Sequence, residues 1–125
     1  VVEVCNKHLG DIANKATEKN SVKCVYGDAF ESIKSVEDDL YDHIFVDLND
    51  DQFCIDLAAK NMDSLVRILK PKGVITAQVG SQDKKPHQVE NWLNVFHHHF
   101  GNTKLSRVYV PSFDCSWNFS SSINH

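Results

Sequence analysis

At 125 residues the chain is long enough to bury one core and too short for two ordinary domains. A composition of 42% hydrophobic and 24% charged residues is that of a globular protein, and no uninterrupted apolar run could span a membrane. Seventeen acidic against thirteen basic residues leave a net charge of −4, which argues against a nucleic-acid partner and suits a cationic ligand.

Val1, Val2, Cys5, Leu9, Ile12, Ala13 and Ala16 recur at three- and four-residue spacing, predicting an amphipathic helix weakened in its middle by Gly10. The pattern is already running at the first residue, with no initiator Met and no N-cap ahead of it, as in a piece of a longer protein. A strand over residues 22–26 follows, ending at Asp28, then a short helix over 29–34 and a strand over 41–47.

A longer helix is predicted over 52–69, with Ala58, Met62, Leu65, Val66 and Leu69 on one face, and Pro71-Lys72-Gly73 ends it. The next strand covers 74–79 and the polar loop 80–85. Pro86 suits the first turn of a helix whose buried stripe is Val89, Trp92, Leu93, Phe96 and Phe100. Two strands over 104–110 and 117–123, joined by the 111–116 loop, form an antiparallel pair. Strand and helix alternate, so the fold class is α/β, a parallel sheet covered by helices and finishing in an antiparallel edge.

The four cysteines are scattered with no Cys-x-x-Cys pair, which argues for reduced thiols in a cytoplasmic protein rather than a zinc site or disulfide framework. His97, His98 and His99 are consecutive on a helix, where neighbours point about 100° apart and cannot share one ion, so they are expected to face solvent and no metal site is expected.

The candidate site lies at strand ends. In open α/β sheets ligands collect at the carboxyl ends of strands, and two strands here run into acids: one into Asp28, the other into Asp47 and Asp50. The competing readings are structural. Asp47 and Asp50 could begin a turn and cap the helix near Gln52, and Asp28 with Glu31 fits a variant capping box.

Set beside Ile68-Leu69-Lys70-Pro71-Lys72-Gly73-Val74 and Gln78-Val79-Gly80, the acidic strand ends resemble the later part of a Rossmann-like, class I methyltransferase-type fold. Val110-Pro111-Ser112-Phe113, followed by Trp117 and Phe119, resembles the closing hairpin of polyamine aminopropyltransferases of the spermidine, spermine and thermospermine synthase kind. That resemblance spans nearly the whole chain and implies a partial catalytic domain over residues 1–125. The sheet would be incomplete, because the family's glycine-rich loop, ribose-gripping acid and dimerising N-terminal β domain would lie before Val1. Asp51 stands where the family's Asp-x-x-Asp-Pro motif has proline, and the gate loop before Gln52 is short.

The implied chemistry is transfer of an aminopropyl group from decarboxylated S-adenosylmethionine, a co-substrate rather than a tightly bound cofactor, to a polyamine such as spermidine or putrescine. By that resemblance Asp47 is the catalytic base, Asp28 and Ala29 hold the adenine, Asp50 binds a substrate ammonium, and Phe113, with Trp117 beside it, lines the acceptor cavity. Gln78 ends its strand on the same side and would touch the polyamine or the reacting end of the donor, the competing readings being a solvated strand terminus for Gln78 and a core place for the aromatics. The full-length protein would be a homo-oligomer, and the fragment would be inactive alone. Alternatives are a methyltransferase-like enzyme using S-adenosylmethionine and a catalytically dead paralogue acting by association.

Overall fold

The computed structural model describes residues 1–12 and 15–125. Its elements are α1 (Val2–Leu9), α2 (Ala29–Ser32), β1 (Tyr41–Val46), α3 (Gln52–Ile68), β2 (Leu69–Gly80), α4 (Pro86–Phe100), β3 (Thr103–Val110) and β4 (Cys115–Ile123). The four strands form one mixed sheet in the order β1-β2-β4-β3. β1 and β2 are parallel, while β4 is antiparallel to both β2 and β3. The reversed strand therefore lies inside the sheet. The expected antiparallel pair that finishes the sheet is present as β3 and β4, with β3 at the edge running in the same direction as β1 and β2.

The core forms where α3 and α4 lie together on one face of the sheet. The helix stripes Ile55, Ala58, Met62, Leu65, Ile68 and Val89, Trp92, Phe96, Phe100 are buried against Ile75, Ala77 and Val79, the alternate residues of β2. Burying a large apolar side chain contributes about 1.5–3 kcal/mol, so this layer holds the fold. Leu93 and Val66, expected in the stripes, pack at the margin of the core. Pro86 opens α4 as anticipated, and Gly101, at φ 74, closes it in a conformation that favours glycine.

Three differences from the sequence reading have physical causes. α1 stops at Leu9 and buries none of its residues, so little packing supports it and it does not continue past Gly10; Ala16 falls in a separate 3₁₀ turn and Ala13 lies outside the described residues. Residues 22–26 join no ladder among the described residues, and Val25 and Tyr26 are exposed; a strand needs a neighbour to pair its backbone groups, and none lies beside this segment. β2 starts at Leu69, not at residue 74, because Leu69 already pairs with Tyr41 and Pro71-Lys72-Gly73 are accommodated in the register shift before His43 pairs with Val74.

That bulge is held by a residue near the other end of the chain. The Asn124 amide donates to the Leu69 carbonyl at 2.7 Å and lies 3.4 Å from those of Val66 and Lys70, while its backbone exchanges bonds with Lys72 and Gly73. It thereby brings a side-chain donor to carbonyls at and just beyond the C-terminus of α3. On the opposite side, Arg67 donates to the carbonyls of Ile33 and Val36 and pairs with Asp38, fixing the approach to β1. His97 and His98 face solvent as expected, but His99 turns inward, with Nδ1 3.3 Å from Asp63 Oδ1.

Replacing Asn124 by Ala strands those carbonyls, and urea denaturation should show a loss of about 1–3 kcal/mol. Lys70→Ala, whose exposed pair with Asp42 is screened by water, should change stability by less than about 1 kcal/mol.

Candidate functional site

The carboxyl ends of β1 and β2 open on one side of the sheet, and because β4 is reversed, its first residues lie beside them: Asn118 pairs with Gly80 and Phe119 with Gln78. A groove of about 750 Å³ runs between the loop after β1 and this hairpin, lined by Asp47, Leu48, Asn49 and Asp50 on one wall and by Val110, Phe113, Trp117 and Phe119 on the other. Thr76 and Gln78 form its floor. Asp47, Asp50, Gln78, Phe113 and Trp117 therefore line one groove.

Gln78 joins the two walls. Its Nε2 donates to the Leu48 carbonyl, and its Oε1 accepts from the Trp117 indole Nε1 at 2.7 Å. The carboxamide is thus engaged on both sides by protein, which the sequence reading of Gln78 as a substrate contact did not anticipate. Trp117 in turn packs on Phe113 with ring centroids 4.6 Å apart and planes tilted by 51°. A pair of aromatic faces at a groove mouth attracts ammonium groups by about 0.5–2 kcal/mol.

The acids divide their roles. Asp51 caps α3: its Oδ1 accepts from the Cys54 amide at 2.8 Å. The cap reading of Asp47 and Asp50 is therefore not what the structure has. Asp50 Oδ2 lies 3.2 Å from Lys85 Nζ, and the Leu48 carbonyl takes Gln78, leaving the exposed Asp47 carboxylate without a partner among the described residues. Gly80, at φ +90, packs against Asp50; an added Cβ would come 3.4 Å from the Asp50 Cβ in a backbone conformation side chains rarely adopt. Burial, with the Asp51 carboxylate beside it, pushes the Cys54 thiol up, so this cysteine stays protonated and is a poor nucleophile.

Asp28 caps α2, as the competing reading held. Its Oδ1 accepts from the amides of Phe30 at 2.9 Å and Glu31 at 3.3 Å, whereas Glu31 pairs with Lys34 and does not complete a capping box. These bonds leave Oδ2 without a partner among the described residues. Asp28 lines neither the groove nor the second cleft of about 440 Å³ along β1, but its neighbour Ala29 lines that cleft, in which Phe30, Ile44 and Asp47 also take part. Asp47 thus stands on the wall common to both cavities. Lys85 was missed as part of the site; the signal available was its position in the loop that follows the Gln78 strand.

The spermine/spermidine synthase domain model matches residues 1–125. Among curated relatives, the polyamine aminopropyltransferase of Korarchaeum cryptofilum (strain OPF8) is 25% identical over 122 residues, which cover 96% of this chain and 38% of the relative. The polyamine aminopropyltransferase of Prochlorococcus marinus (strain MIT 9215) is 26% identical over 129 residues, covering 99% and 46%. The chain spans less than half the length of these relatives. A crystal structure of spermidine synthase in complex with the transition state analogue AdoDATO superposes with a TM-score of 0.85 at 14% identity, covering 99% of this chain and 43% of that one. At that identity the likeness is one of fold, and it bears out the Rossmann-like α/β class.

At the tip of the hairpin, the Tyr109 hydroxyl donates to Asp114 Oδ1 at 2.7 Å. That bond raises the Tyr109 pKa above its ordinary 10.0, with desolvation adding to it, because ionisation would set a phenolate against a carboxylate. Asp114 has φ 47, a conformation Asn accepts as readily. Asp114→Asn should therefore lower the phenol's titration toward its ordinary value with the turn intact, measured by ultraviolet difference absorbance from pH 9 to 12.

Proposed function

Since the chain belongs to the spermine/spermidine synthase domain family, we propose that it carries the acceptor side of a polyamine aminopropyltransferase. The donor is decarboxylated S-adenosylmethionine, a co-substrate and not a resident cofactor, and the acceptor is a polyamine such as spermidine or putrescine. The observation that supports this reading most is the gathering of Asp47, Asp50 and the Phe113–Trp117 pair around one groove at the strand ends.

The chemical obstacle is charge. A polyamine's amines have pKa values near about 10 and are protonated at neutral pH, while the donor brings a sulfonium. Carboxylates on the groove wall offset this repulsion, and aromatic faces hold a cation without neutralising it. In the proposed step an uncharged acceptor nitrogen attacks the propyl carbon attached to sulfur, that carbon–sulfur bond breaks, and methylthioadenosine leaves with the electron pair. The proton released from nitrogen passes to Asp47, which fits the part because its carboxylate is exposed and uncommitted.

Asp50 holds an ammonium farther along the acceptor. Gln78 acts through its neighbours: with its carboxamide shared between the Leu48 carbonyl and the Trp117 indole, it keeps the acid-bearing loop and the aromatic wall in register. The donor's nucleoside fits the cleft shared by Ala29 and Asp47, with Asp28 Oδ2 available to accept from an adenine amino group while Oδ1 serves the helix. Family membership favours aminopropyl over methyl transfer.

The intact protein, incubated with decarboxylated S-adenosylmethionine and spermidine or putrescine, should release methylthioadenosine. Asp47→Asn should lower kcat by about 10²–10⁴, the range for losing a general base, with a much smaller change in KM. Release of S-adenosylhomocysteine from ordinary S-adenosylmethionine, with no methylthioadenosine, would overturn the assignment.

A further inference from the structure

The loop between β2 and α4 touches both walls of the groove. Asp83 pairs with Arg107 on β3, Lys84 Nζ donates to the Phe113 carbonyl at 3.2 Å, and Lys85 Nζ lies 3.2 Å from Asp50 Oδ2. Three consecutive side chains thus tie this loop to the edge strand, the hairpin and the acidic loop. The last of these contacts bears on the chemistry, because a primary ammonium on a flexible stem beside the Asp50 carboxylate is what the end of a polyamine would present there.

We infer that Lys85 is an internal competitor for the Asp50 subsite, a specificity-determining residue that must yield the carboxylate before an acceptor's ammonium can occupy it. The inference rests on the proposed amine-binding role of the groove. The geometry suits displacement. The Lys85 side chain is 53% exposed and that of Asp50 27%, so the lysine can swing into water while the carboxylate remains on the groove wall. Gly80 lies directly behind Asp50, where an added Cβ would come 3.4 Å from the Asp50 Cβ.

The test is calorimetric titration of the intact protein with spermidine at low salt, in the presence of methylthioadenosine. Lys85→Met, which removes the ammonium and keeps the apolar stem, should tighten spermidine binding about two- to fivefold, the range for a partly exposed ion pair. Lys85→Arg should remain close to the parent. Lys70→Met, which deletes an equal charge paired with Asp42 outside the groove, should leave affinity unchanged and so excludes a general effect of net charge.

The two contributions should also be coupled. In an Asp50→Asn background the Lys85→Met change should have no effect on affinity, because there is no carboxylate left to compete for. Unchanged or weaker binding in Lys85→Met, with the parent protein binding spermidine, would overturn the inference alone. Absence of spermidine binding in the parent and in every variant would instead overturn the amine-binding reading, and the inference with it.

Discussion

β2 is the strand on which the other elements depend, because it meets a parallel neighbour on one side and an antiparallel one on the other. Its alternation separates two jobs. Ile75, Ala77 and Val79 are buried under α3 and α4, whereas Thr76 and Gln78 point to the groove. A shift of one residue in its pairing would exchange these sets and place the Gln78 carboxamide in a hydrocarbon core. Burial of the helix stripes therefore fixes the register, and the register fixes where the site residues stand.

From that register the site assembles with little further invention. The loop after β1 brings carboxylates, the reversed β4 brings aromatic rings, and Gln78 is the side chain that bonds to both. Two supporting devices keep the geometry: the αN-terminal cap on α3 is delegated to Asp51, freeing Asp47 and Asp50, and Gly80 lets the strand end pass close behind Asp50. Asp51 thus has a structural task of its own as the N-cap of α3.

Much of this was readable in the residues themselves. From Tyr41 onward local signals mark α4, with Pro86 opening it and Gly101 closing it, and apolar periodicity matches the buried face of α3 and α4, although the α3–β2 boundary at Leu69 precedes the Pro71-Lys72-Gly73 signal. Strand ends marked by acids located Asp47 and Asp50, and the hairpin motif located Phe113 and Trp117. Before Tyr41 the reading was weaker because periodicity records a wish to be buried and says nothing about the partner. Residues 22–26 have strand-like composition and no ladder, and α1 has an apolar stripe with none of it buried. Partnerships across long sequence separations were equally invisible: Asn124 with the end of α3, Gln78 with Leu48 and Trp117, and Lys85 with Asp50.

The outer edge of β1 has a practical corollary. Among the described residues its second side carries no hydrogen-bonded neighbour, and Phe45 beside it is 73% exposed. A row of open amides and carbonyls is a template for another extended chain, so a polypeptide consisting of these residues alone would be prone to sticking to copies of itself through that margin. Handling it at low concentration follows directly from the way the sheet stops.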